Sequence, residues 1–471
     1  MQKLVKQLTF VGVIGMSIAL MAPSAGMGLN TPFVAAGAGA ASPFVFIIST
    51  IGIACVGGGF YRLTKRFNDA GSVYGLTKAA IGPRYGFLAG WFLLLTYVVF
   101  IGTLLAGFAT FADSLITQIF NVNPPWVVMY LVGGAAVWFL GYRKIGLSAK
   151  VFLSLESVSI VLMLILAFVI IFKGGAHGHS LSLKPLTPEG ASFSGLSAAL
   201  VFGFLTFIGF EGAAALGEES HNPERAVPLA LGAAVIVAGI IFTLVTYSQT
   251  IGYGVSSSGI KAFSTAATPN TDLARMYLGN WATYITNFGA ALSTFACALA
   301  SASGASRVLF SLSRDGRLSR NLSEIHSQHL SPHKAHNMSM ALGLLAALVF
   351  VPFTDSPSNV YGWLGALATL AVIIAYGMTS VASFVFFARD DWRTRKFWNF
   401  LPTFFAIPLL AYTFKAQILP IPPSPLRYFP YVILFFLLIG VGILYSQRGK
   451  SVSRTVAYDA LSAVDEESLT I

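Results

Sequence analysis

Long apolar runs alternate with short polar punctuation along most of the chain. Twelve of them reach roughly twenty residues, at 8–32, 43–62, 85–111, 125–141, 147–172, 193–219, 227–252, 281–306, 337–354, 361–388, 397–415 and 428–446. A helix of about 20 apolar residues spans a ~30 Å hydrocarbon core. Proline, glycine and asparagine mark several gaps, as in NVNPP before Trp126 and LPIPPSP before Leu426. The pattern predicts an all-α polytopic membrane protein with twelve transmembrane helices. The first run follows Lys3 and Lys6 and reaches APSAGM, as a cleavable signal peptide does, but its apolar character continues through Leu29 towards Pro32. It reads as a retained first span.

Two of the runs are irregular at mid-membrane depth. Segment 1 carries ALMAPSAGMG, Ala19 to Gly28, and segment 6 carries FIGFEG, Phe207 to Gly212. Pro23 lacks an amide hydrogen and clashes with the preceding turn. Glycines on both sides of Glu211 weaken the helix by roughly 1 kcal/mol each against alanine. Unpaired backbone is tolerated in a bilayer only where protein or a cavity surrounds it. An ordinary proline kink is the plainer account of each irregularity, but their matching positions point to two broken helices. Segments 1 and 6 are five apart, the spacing of a 5+5 inverted repeat. The repeats then cover about 8–172 and 193–388, with two further helices over 397–446 and a tail over 447–471. Such breaks frame a midplane binding site. Carbonyls freed near Met21 and Ala22 attract a cation, and amides beyond Pro23, at Ser24, Ala25 and Gly26, can hold a carboxylate. With Ile208, Gly209, Phe210, Glu211 and Gly212 of the second break, they form a candidate site for a small zwitterion.

Composition supports a membrane protein: 55% of residues are hydrophobic and 10% charged, against about a quarter charged in soluble domains. The net charge of +11 has no basic helix face or aromatic-interleaved basic patch behind it, so nucleic acid is not an expected partner. With the N-terminus inside, 23 of the 29 lysines and arginines fall on the cytoplasmic side, as the positive-inside rule requires. Both termini are therefore expected in the cytoplasm and the protein in the cytoplasmic (inner) membrane. Cys55 and Cys297 each lie in an apolar run and read as buried small residues without a disulfide framework.

The run FIGFEGAAALGEESHNPERAVPLAL, Phe207 to Leu231, closely resembles the sixth-helix signature of the amino acid–polyamine–organocation (APC) permeases. That signature has an aromatic–Gly–Phe–acid core, paired acids, Asn-Pro, a basic residue and proline. GPRYGFLAGW (Gly82 to Trp91), ASRVLFSLSRDGRLS (Ala305 to Ser319) and SPHKAHN (Ser331 to Asn337) resemble the start of helix 3, the close of helix 8 and the lead into helix 9 of the same family. The resemblance implies a leucine-transporter-type fold, alternating access, and uptake or exchange of amino acids or amines. The first break departs from it: many relatives carry Gly-Ser/Thr-Gly-Ile where this chain has Met-Ala-Pro-Ser-Ala-Gly. In some relatives a lysine in helix 5 is linked to the proton, and Glu156 or Ser159 stands nearest that position here.

Individual residues keep alternatives. Glu211 either contacts a substrate ammonium or accepts amides at the start of the second half of helix 6, and the capping role is favoured. Glu156 lies about 13 Å into segment 5, where an acid is either proton-coupling or a protonated structural group. Glu218, Glu219 and Arg225 form an inner gate or are simple interfacial charges. His326, His329, His333 and His336 have helical spacing, but Pro332 interrupts them, so a solvated loop is favoured over a metal site. Tyr97, Tyr247, Tyr361, Trp363 and Tyr376 line the pathway or pack. No nucleophile motif, phosphate loop or CxxC pair is present, so an enzyme is not expected, and no cofactor beyond a coupling proton. The expected function is proton-coupled amino acid uptake by a secondary transporter. The alternatives are an exchanger, a polyamine or organic-amine carrier, or a non-transporting amino-acid sensor. Expected partners are the small-molecule substrate and the lipid bilayer, and the oligomeric state is unassigned.

Overall fold

The computed structural model describes residues 10–67, 72–143, 149–176, 181–215, 223–329, 331–391 and 400–446. Among them the regular secondary structure is helical throughout. Helices α1 (Phe10–Met21) and α2 (Pro23–Ala38) form one interrupted span, followed by α3 (Ser42–Arg66), the short α4 (Ser72–Ile81) and the long α5 (Pro83–Phe120). Then come α6 (Trp126–Tyr142), α7 (Ala149–Phe172), the interrupted pair α8 (Phe193–Leu205) and α9 (Gly212–Ala215), and α10 (Pro223–Tyr253). Two short helices, α11 (Ser257–Thr265) and α12 (Pro269–Leu278), lead into α13 (Asn280–Arg314). The chain continues through α14 (His333–Leu348), α15 (Pro357–Asp391), α16 (Leu401–Ala416) and α17 (Phe429–Ser446).

The described part of each predicted apolar segment falls on a helix or on a pair of half-helices. Among the described residues, seven helical stretches are long and apolar enough to cross a membrane, while α6, α8, α16 and the described apolar part of α7 are shorter. The shortness of α8 has a local cause, since the backbone leaves the helix after Leu205.

The molecule is built around α5, which packs against α13 and α15 and buries its side chains along most of its length. Much of α17 faces outwards instead, with Tyr431, Phe435 and Leu438 exposed while Phe429 and Ile433 pack inwards. An exposed apolar rim around a buried centre suits a lipid surrounding. Helices approach closely where one side lacks a Cβ: a Cβ on Gly195 would stand 2.2 Å from the Gly37 carbonyl. This brings α2 against α8 and sets the two interrupted spans side by side, as small residues do at membrane helix interfaces.

Candidate functional site

The first interruption is a single residue. Ala22 adopts left-handed φ 47° and ψ 63°, and Pro23 opens α2. The αL conformation is costly for alanine, and proline suits the first turn because its missing amide hydrogen is not needed there. The second half therefore starts at Pro23, slightly before the expected Ser24–Gly26. The second interruption is longer: residues 206–211 form successive turns, with Gly209 at φ 106°. Glycine is required at 209 for a further reason, because an added Cβ would lie 2.6 Å from the Leu20 carbonyl oxygen at the end of α1. The two breaks therefore touch. Ser17 donates to the Phe210 carbonyl at 3.2 Å, and the Cys297 thiol lies 3.2 Å from the Leu20 carbonyl.

All eleven candidate binding residues are buried: Met21, Ala22, Pro23, Ser24, Ala25 and Gly26 at the first break, and Ile208, Gly209, Phe210, Glu211 and Gly212 at the second. A Cβ on Gly26 would meet Thr206 Cγ2 at 2.8 Å, so the α2 start and the α8 end share one packed region. The Phe210 ring stands edge-on to Phe60 and Tyr376, with centroids 5.4 and 5.3 Å apart.

Glu211 is fully buried and satisfied by three donors. The Tyr97 hydroxyl donates to Oε1 at 2.8 Å, while the Tyr376 hydroxyl and the Gly209 amide donate to Oε2 at 2.5 and 3.0 Å. The carboxylate turns back to an amide inside the break rather than forward over α9, and it fastens the break to α5 and α15. It is a clamp more than a helix cap. Asn30 on α2 forms a second buried junction. Its Nδ2 donates to Thr206 Oγ1 at 2.8 Å, and its Oδ1 accepts from the Tyr361 hydroxyl at 2.9 Å. Helix α15 thus supplies one tyrosine to each junction.

The amides of α2 are already engaged. Glu156 Oε1 on α7 accepts from the Ser24 amide at 3.2 Å, and Ser293 Oγ on α13 lies 3.4 Å from the Ala25 amide. Gly26 donates within the chain to Ala22 at 2.9 Å. The sequence expectation left these groups open for a ligand, whereas the structure places the chain's own Glu156 there. Glu156 and Ser159 are both buried, and Ser159 packs where a Cβ on Gly289 would come within 2.9 Å. Ser159 also lines a cavity of about 20 Å³ beside Ser24, Asn270 and Thr286.

Arg225 is exposed near the start of α10, while Glu218 and Glu219 lie outside the described residues. Another tie sits at the far end of α13, where Asp315 binds the Tyr74 hydroxyl and the Lys78 ammonium of α4. Burial acts to raise the Asp315 carboxyl, but the Lys78 and Tyr74 contacts and the charge of Arg314 outweigh it and hold it below its ordinary value.

His326 and His329 lie in the loop expected of them and are partly exposed, but the other two histidines do not. His333 opens α14, His336 is buried with its ring 3.0 Å from the Trp138 carbonyl, and the rings of His326, His329 and His333 gather around Tyr142. Among the described residues no three His, Cys, Asp or Glu are placed to hold a metal ion. Cys297 is buried as expected, but Cys55 is only half-buried. Asn30, Thr206 and Ser293 were not singled out from sequence. Each lies in an apolar run, alone or beside one threonine, without a spacing pattern to mark it.

Two interrupted helices, meeting at buried polar junctions inside an apolar rim, define a polytopic membrane protein of the permease class. Residues 12–421 match the amino acid permease family, and the chain belongs to it. It is similar to the branched-chain amino acid permease BcaP of Bacillus subtilis, at 24% identity over 337 residues, 67% of each chain. The low-affinity putrescine importer PlaP of Escherichia coli is 26% identical over 352 residues, 72% of this chain and 74% of that protein. The mitochondrial cationic amino acid transporter 3 of Arabidopsis thaliana is 24% identical over 402 residues, 81% of this chain and 62% of that protein.

Proposed function

We propose that the protein is a secondary transporter that takes up amino acids by alternating access, coupled to protons. In this reading residues 1–446 form one transport domain of twelve spans in the cytoplasmic membrane. Two inverted repeats of five (about 8–172 and 193–388) precede two further spans (397–446), and both termini are cytoplasmic. The observation that carries the reading is the meeting of the two breaks, with α1 ending against Gly209 and buried acids at both sides. Irregular backbone inside a bilayer must be surrounded by protein or a cavity, and paired breaks of this kind frame the substrate site in transporters built from repeats. Similarity to a branched-chain amino acid permease and to a putrescine importer supports a substrate with an amino group. Apolar side chains such as Met21 and Phe210 favour an uncharged substrate side chain.

Glu156 is the proposed coupling residue, because it is an acid buried in the span and hydrogen-bonded to the first break. Glu218, Glu219 and Arg225 are retained as a proposed inner gate. The test is uptake of a panel of labelled amino acids and amines by proteoliposomes, with and without an inward proton gradient. Accumulation of one of them that needs the gradient is expected. Failure of every member to accumulate overturns the reading, and gradient-independent uptake overturns the coupling.

A further inference from the structure

Glu156 sits where the proposed function puts the substrate's own carboxylate. A helix start attracts an anion through its unpaired amides and its dipole. At α2 that anion is internal, yet it fits loosely. The Glu156–Ser24 and Ser293–Ala25 contacts, at 3.2 and 3.4 Å, are long for hydrogen bonds to nitrogen, which centre near 2.9–3.0 Å and shorten further towards a carboxylate. The Ser24 hydroxyl is buried beside the Glu156 carboxylate without a well-formed hydrogen bond to it. The cavity of about 20 Å³ that Ser24 helps to line can admit one water molecule, which needs about 10–15 Å³. The start of α2 therefore keeps unused hydrogen-bonding capacity at Ser24, next to space for one water.

We infer that Glu156 is a resident competitor for the substrate carboxylate: an α-amino acid binds at the start of α2 by displacing the Glu156 carboxylate, which leaves protonated. The inference rests on the transport reading and narrows it to substrates that bear a carboxylate. It also gives the coupling a physical cause. Two carboxylates sharing one helix start repel each other, and a proton on Glu156 removes both the repulsion and its claim on the Ser24 amide. One bound substrate then requires one bound proton. Among the described residues, Cys297 on α13 is the titratable side chain electrostatically coupled to Glu156, and α1 and α2 carry none. On the other packed elements, Tyr247 of α10 is bonded to the Ser182 carbonyl, and Tyr253 of α10 is paired with Asp272 of α12. Arg275 of α12 adds its charge at Asp272, and no acid–base pair involving Glu156 appears among the described residues.

The probes are the twenty protein amino acids and their decarboxylated amines, with binding read as thermal stabilisation of the purified full chain. Wild type is expected to bind at least one amino acid, with an apparent Kd that rises by up to about tenfold per pH unit from an acidic to a neutral buffer. Glu156→Gln is expected to bind it at both pH values as tightly as wild type does in acid. The matching amine should show no pH step. Glu156→Asp, which keeps the charge but withdraws it from Ser24, should bind the amino acid more tightly than wild type at the higher pH. An unchanged pH step in Glu156→Gln overturns the inference, as does weaker binding by Glu156→Asp or a preference for the amine. If uptake persists under any of those outcomes, the transport reading stands and only the competition fails.

Discussion

Gly209 is the most demanding position in the second break, and replacing it with alanine measures how tightly the two interrupted helices are held together. Two costs add. The backbone at φ 106° lies where an L side chain is strained, by about 1–3 kcal/mol. The new methyl would lie 2.6 Å from the Leu20 carbonyl oxygen and 2.9 Å from its carbon. Both are backbone atoms of the end of α1, so the overlap is relieved only by moving a helix, at about 1–3 kcal/mol. The sum is roughly 2–6 kcal/mol. Gly212→Ala is the matched control. Its methyl would approach Leu20 Cδ1 at 2.1 Å, a nominally worse overlap, but the obstacle is the tip of a side chain that can turn for about 0.5–1.5 kcal/mol. Thermal unfolding of both variants in the same detergent, at one heating rate, gives the comparison. Gly209→Ala is expected to melt well below Gly212→Ala and to lose uptake. Equal melting temperatures, or a lower one for Gly212→Ala, would show that the breaks are not in contact as described.

Tyr376→Phe removes one of the three donors to buried Glu211 and is expected to cost about 1–3 kcal/mol. In a cycle with Glu211→Gln the two losses should be strongly non-additive in thermal unfolding, and additive losses would deny the shared bond. Thr206→Val leaves the Asn30 amide short of an acceptor and should cost about 1–3 kcal/mol, with Tyr361→Phe adding little once Thr206 is gone. Asp315 is held below its ordinary value of 3.8, so its ionised form stabilises the fold above that pH and the contribution fades as pH falls through the lower folded value. Asp315→Asn should therefore destabilise the protein near neutrality and converge with wild type under acid, and a gap that widens below pH 3.8 would reverse the assignment.

How much of this was legible beforehand follows from the kind of signal each residue leaves. Pro23, Gly209 and Gly212 are backbone residues, and their effect is local, so both interruptions could be placed from composition alone. The buried acids were also visible, because Glu156 and Glu211 stand out in apolar runs. Their partners were not. Tyr97 and Tyr376 lie 114 and 165 positions from Glu211 along the chain, and Ser24 lies 132 from Glu156. Nothing in local periodicity says which distant hydroxyl or amide will face a given carboxylate. The same limit hid Asn30 and the burial of His336, whose ring meets the Trp138 carbonyl of another helix.

Tyr361 and Tyr376 stand fifteen residues apart on α15, about 22 Å along its axis. One grips Asn30 of α2, which is itself bonded to Thr206 just past α8, and the other grips Glu211 in the turns before α9. A single rigid rod thus touches both sides of the proposed solute chamber. Swinging either side away while that rod stays still must first undo a tyrosine hydroxyl, whereas carrying the rod along would spare both contacts. Which hydroxyl changes partner during turnover would therefore identify the half of the protein that serves as the fixed frame.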